Sequence, residues 1–185
     1  MPSPAVFDLD DPGMRDVLGH SHWHPDIPGV AEVITGGTVR MECPGREPGG
    51  DVLLCGPLVV VGAETGDVIL VDVLAVGRPG GGRDAGGHPG IIGCAPPGPA
   101  AVPGDARGHG IGGCAIAPLT AGSRLLLPVR VRGAKLSVGD LHFPHGAACD
   151  GAEPGWIDLR VSLTRQGVER FGVTGPTLMP DPARR

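Results

Sequence analysis

Glycine or proline breaks this chain so often that long helices are ruled out almost everywhere. With 34 glycines and 21 prolines in 185 residues, the share is close to what marks low-complexity or disordered chains. The segments between the breaks argue otherwise. They are short runs rich in Val, Leu and Ile, bounded by turn residues, which is the pattern of many short strands joined by tight connections. Runs 30–34 and 38–43 flank Thr35-Gly36-Gly37, and 52–61 and 67–76 flank Gly62-Ala63-Glu64-Thr65-Gly66. Runs 124–131 and 135–143 flank Gly133-Ala134. In 156–163, Ile157, Leu159, Val161 and Leu163 alternate with polar residues, the signature of a half-buried strand. Residues 164–171 offer one or two helical turns before a proline-rich tail. Segments 77–90 and 95–110 are nearly devoid of apolar residues and are expected to be flexible loops. The chain therefore reads as one mainly β domain, a barrel or sandwich with little helix.

A weak internal repeat supports that reading. Val60-Val61-Gly62-Ala63, followed by Gly66-Asp67, echoes Val131-Arg132-Gly133-Ala134 followed by Gly139-Asp140. The aspartates are expected to accept hydrogen bonds from turn amides. Aromatic residues are scarce and tyrosine is absent, so the core must be aliphatic. A net charge of −5 and the absence of a basic run argue against a nucleic-acid partner. No stretch of eighteen apolar residues and no signal-peptide pattern occurs, which points to a cytoplasmic protein without membrane contact. Five cysteines, Cys43, Cys55, Cys94, Cys114 and Cys149, form no CxxC pair and suit a reducing compartment better than a disulfide framework.

The chemistry concentrates in histidines. In Gly19-His20-Ser21-His22-Trp23-His24-Pro25-Asp26 three imidazoles stand at alternate positions. In extended chain these would share a face. Neutral imidazoles converging on one point commonly hold zinc or a similar divalent metal. The same spacing also fits solvated loop histidines or rings bonded to backbone carbonyls. A second pair, His142 and His145, follows the Gly-Asp turn at 139–140.

Several segments, in order along the chain, resemble the acetamidase/formamidase family, the formamidase branch above all. They are Gly19-His20 with Trp23-His24-Pro25-Asp26-Ile27-Pro28, Gly62-Ala63-Glu64 with Gly66-Asp67, and His88-Pro89-Gly90-Ile91-Ile92-Gly93-Cys94. Gly133-Ala134-Lys135-Leu136-Ser137-Val138-Gly139-Asp140-Leu141-His142 and Gly155-Trp156-Ile157-Asp158-Leu159 complete the series. The resemblance implies a β-rich fold, a homo-oligomer, and hydrolysis of small carboxamides with a bound divalent metal. It also exposes departures. Family members are longer, and an insert before His88 is reduced to a glycine-rich loop. The first glutamate of Val-Glu-Gly-Ala-Glu is Val61 here, Gly-Gly-Asn-x-Asp survives only as Gly112-Gly113-Cys114-Ala115, and Gln-Gly-Asp-Gly-Glu after His142 is replaced by 145–150. Lost carboxylates beside gained histidines, His22 and His145, suggest a site rebuilt around imidazoles.

The residues expected to act follow from both lines. His20, His22, His24 and His142 are the metal set, with Asp26 able to orient a ring. His142, His145, Lys135 and Glu64 are the catalytic candidates, the histidines as proton shuttles and Lys135 as a donor to a developing oxyanion. His88, Trp23 and His109 are the substrate-binding candidates, with His88 opening a substrate-facing loop. Against these stand plainer roles, a solvated Lys135 and Glu64 and a packing role for Trp23. The expected function is an enzyme acting on a small amide or carbonyl compound, by metal-assisted hydrolysis or a histidine acid/base step such as cyclisation, dehydration or isomerisation. Its competitor is a non-catalytic binding or assembly module that kept the fold.

Overall fold

A computed structural model describes residues 5–6, 19–46, 50–106, 111–113, 117–144 and 152–179. Its elements are β1 (Ala5–Val6), β2 (Gly19–His20), β3 (His22–Trp23), β4 (Ala31–Val33), β5 (Gly37–Cys43), β6 (Leu54–Val60) and β7 (Val68–Gly77). They continue with β8 (His88–Cys94), β9 (Val102–Pro103), β10 (Ile111–Gly113), β11 (Arg124–Pro128), β12 (Leu136–His142), β13 (Gly155–Thr164), the short helix α1 (Gly167–Phe171) and β14 (Thr177–Met179).

The strands form two large sheets. One runs β1-β5-β13-β7-β11-β14, and the other runs β10-β8-β12-β6-β2 with β4 parallel to β6. β3 and β9 make a separate two-stranded pair. Alternation in β13 sends Ile157, Leu159 and Val161 into the core, and leaves Asp158 to take both oxygens to the guanidinium of its register partner Arg40, at 2.7 and 2.9 Å. Val39, Met41, Val71 and Val73 from the first sheet meet Leu58, Ile92, Leu136 and Val138 from the second in one aliphatic cluster. This is a sandwich, and the choice between barrel and sandwich is settled by that face-to-face packing.

The second sheet is buried on both sides. Ile92 points into the main core while its neighbour Ile91 joins Trp23, Val52, Leu54, Ile111 and Ala152 in a smaller cluster on the other face. Strand β8 is consequently buried along its whole length. That corrects the expectation of a substrate-facing loop opening at His88. A strand covered on both faces loses the polar alternation that would betray it, and Pro89, Gly90 and Gly93 disguise it further.

The cysteines also depart from expectation. Cys43 on β5 and Cys55 on β6 pair as a disulfide between the two sheets, with Cα atoms 5.1 Å apart. Facing strands bring them within bridging range although no local motif announces it. Burial pushes the Cys94 thiol up to about 12, which keeps it protonated and inert. Asp67 behaves as its turn position suggests. It accepts the amides of Glu64 and Gln166 at 3.0 and 2.9 Å and the guanidinium of Arg165 at 2.9 Å. Among the described residues no helix is long and apolar enough to cross a membrane.

Candidate functional site

The antiparallel register of β8 and β12 decides where the distant histidines go. His142 is the cross-strand partner of His88, and the two rings stack with centroids 5.2 Å apart and planes 16° from parallel. Two residues back along β12, Asp140 adopts a left-handed φ of 54° and brings Oδ2 to 3.2 Å from His142 Nε2. His88 donates from Nδ1 to the carbonyl of Gly86 at 2.9 Å, which fixes its ring. His88 and Asp140 are buried and His142 is nearly so.

Gly90 is the fourth member of this cluster. A Cβ on it would stand 2.3 Å from Asp140 Oδ2 and 2.6 Å from His142 Nε2. The carboxylate and imidazole therefore converge on space that only glycine leaves open. An imidazole held against a carboxylate is an orienter–shuttle pair suited to moving a proton to and from a reacting group.

The segment 20–24 is built differently. His20 donates from Nδ1 to the His22 carbonyl at 2.6 Å, and its Nε2 faces Ser137 Oγ at 3.0 Å. His24 has Nε2 3.2 Å from the Pro99 carbonyl, while Nδ1 accepts the Asp26 amide at 3.1 Å. His22 is exposed. Two of the three rings thus commit both nitrogens to the protein, and Ser21 breaks the strand between His20 and His22. The expected set of His20, His22, His24 and His142 does not fit a metal. Ser137, which touches His20, is five strand residues from His142, about 17 Å at the usual rise. Among the described residues no group of three or more His, Cys, Asp or Glu side chains is placed to hold an ion.

The remaining candidates scatter. Lys135 stands at the opposite end of β12 from His142, roughly 20 Å away by strand rise, and its Nζ donates to the Ile27 carbonyl at 2.6 Å. It therefore ties the 24–28 turn to the sheet and cannot serve an oxyanion at His142. Glu64 is exposed and pairs with Arg132 at 3.4 Å, near Gly133 and so at the Lys135 end. Trp23 is buried and donates to the Gly104 carbonyl at 3.3 Å, which fits the packing role. His109 and His145 lie outside the described residues. Two residues outside the expected set, Asp140 and Ser137, stand against imidazoles. Asp140 was read as a turn aspartate, although its place two residues before His142 was a usable signal. Ser137 carried no signal at all.

Residues 95–185 match the acetamidase/formamidase family model. A formamidase of Methylophilus methylotrophus is 30% identical over an alignment that takes in 98% of this chain and 73% of the relative. This chain belongs to the acetamidase/formamidase family. An acetamidase of Mycolicibacterium smegmatis, at 29% identity, is covered to 74% of its length by 95% of this chain. A gamma lactamase from Delftia acidovorans shares the fold, with a TM-score of 0.73, 24% identity and coverage of 95% of this chain and 71% of its own. An acetamidase from Yersinia enterocolitica does so with a TM-score of 0.76 at 16% identity, covering 96% and 72%. The family alignment with the formamidase runs over 298 positions against 185 residues here, so the relative carries long stretches that this member lacks.

Proposed function

We infer that this protein is an amidase-type hydrolase that cleaves the C–N bond of a small linear carboxamide, with His142 and Asp140 handling the proton. One observation carries the reading: Asp140 Oδ2 and His142 Nε2 meet beside Gly90, in space that a side chain at 90 would fill. The relatives named formamidase and acetamidase support the substrate class.

Amide hydrolysis needs a proton removed from water as it attacks and a proton delivered to nitrogen as it leaves. His142 performs both in turn, taking the water proton and handing it to the departing amine. Asp140 holds the imidazole in orientation and offsets the positive charge that develops on it. His88, fixed by Gly86, backs the ring of His142 and limits its rotation. No step is assigned to the 20–24 histidines.

The test is ammonia release from formamide, acetamide and longer linear amides. His142→Ala and Asp140→Asn should each lower kcat/KM by about a hundred-fold or more, with melting temperatures close to the parent. His24→Ala should stay within a few-fold. A folded protein that releases no ammonia from any amide would sink the reading and favour the binding-module alternative.

A further inference from the structure

The Ser137–His20 contact lies far from the His142 cluster and plays no part in it. Its geometry is specific. The His22 carbonyl can only accept, so the proton of the neutral His20 ring sits on Nδ1 and the lone pair of Nε2 faces Ser137 Oγ. The hydroxyl must then donate to Nε2. A serine, a base within hydrogen-bond reach and a third group fixing the base's tautomer make up an activated nucleophile, here with a backbone carbonyl as the third member. Burial holds His20 below its ordinary value, and the bond to the His22 carbonyl only partly offsets this. The ring is therefore neutral and able to accept a proton at neutral pH.

The surroundings hold both partners in place. Ser137 lies in β12 between β6 and β8, opposite Gly93. Gly56 passes so close that a Cβ there would come within 3.0 Å of Ser137 Oγ. Trp23 meets the His20 ring edge-on at 6.2 Å, and Leu54 is the register partner of His20, so the apolar neighbours favour a short aliphatic group. Ser137 is shut off from solvent, but its base is half-buried on β2, an edge strand of two residues. Such an edge, with two register pairs, opens locally at low free energy, which admits a small reagent past the His20 ring.

We propose that Ser137 and His20 form a second catalytic centre that accepts short aliphatic acyl groups from esters or activated amides. Ser137 Oγ bonds to the carbonyl carbon as its proton passes to His20 Nε2. The bond to the leaving oxygen or nitrogen breaks, and His20 returns that proton to it. Water then attacks the acyl ester and gives a proton to His20, and the carboxylic acid departs as Ser137 Oγ recovers the proton. One water is consumed and nothing is oxidised or reduced.

p-Nitrophenyl acetate is the probe, with acid quenching, intact mass and peptide mapping. The parent protein should show a p-nitrophenol burst and one acetyl group on Ser137. His20→Gln, which keeps hydrogen bonds but cannot act as the base, should slow that acetylation by about a hundred-fold or more. Melting curves of the variant show that the loss is not unfolding. Mapping the parent protein needs no variant, so a Ser137→Ala chain that fails to fold leaves the test intact. Acetyl groups found only on surface lysines or other residues, or Ser137 acetylated equally fast in His20→Gln, would overturn the proposal. The position of the label is read independently of amide hydrolysis at His142.

Discussion

His20, His22 and His24 crowd one short stretch of chain, whereas His88 and His142 sit on different strands, and the distant pair is the one whose rings touch. In the crowded stretch the backbone takes the imidazoles first. Carbonyls of His22 and Pro99, and the amide of Asp26, claim ring nitrogens that a metal would need. In the distant pair the sheet register places ring against ring and leaves the carboxylate of Asp140 beside His142. Density in sequence therefore measures opportunity, and cross-strand register decides convergence.

The contrast can be broken most sharply by activity. Loss of amide hydrolysis in His142→Ala against near-parental rates in His24→Ala would uphold it, and the reverse would invert it. Next in size is Gly90→Ala. The new methyl group meets Asp140 and His142, so unfolding in denaturant should show a loss of about 1–3 kcal/mol from overpacking, together with loss of activity. Gly82→Ala, with nothing within 4 Å of the added atom, should change little in either assay.

Within the 20–24 stretch the same logic separates two neighbours. His20→Ala leaves the buried Ser137 hydroxyl without its partner and should cost about 1–3 kcal/mol. His22→Ala, at an exposed ring, should fall within about 0.5 kcal/mol. A pH series sharpens this further. His20 is held below its ordinary value by burial, so the unfolded chain takes up its proton first as pH falls. Stability from this group is complete above the ordinary histidine value of about 6.5 and declines as pH drops from there toward the lower folded value. His20→Gln should flatten that part of the curve. The smallest expected effect is none. Replacing His20, His22 and His24 together should leave the metal content of purified protein unchanged by elemental mass spectrometry, and loss of a stoichiometric metal would restore the metal reading.

The first sheet was legible because its long strands β5, β7 and β13 alternate buried with more exposed residues. Alternation in 156–163 located β13 to within a residue or so, and the Gly-rich turns located its companions. β8 was missed for the opposite reason. With both faces buried and two glycines and a proline in seven residues, it has neither alternation nor strong β propensity. At the site, His142 and His88 were visible as residue types, but their contact depends on a register that no local pattern encodes. Ser137 shows this limit most clearly. Its partner is 117 positions away, and a lone serine inside a strand announces nothing.

Strand β12 has neighbours on both of its edges and carries Ser137 near one end and the Asp140–His142 pair at the other. Dropping or adding a single residue within it would turn every side chain beyond that point to the opposite face. A change in the length of a connection leaves this alternation intact, while an insertion or deletion inside the strand does not. Length variation among descendants of this chain should thus accumulate in the connections and stop abruptly at Leu136 and His142.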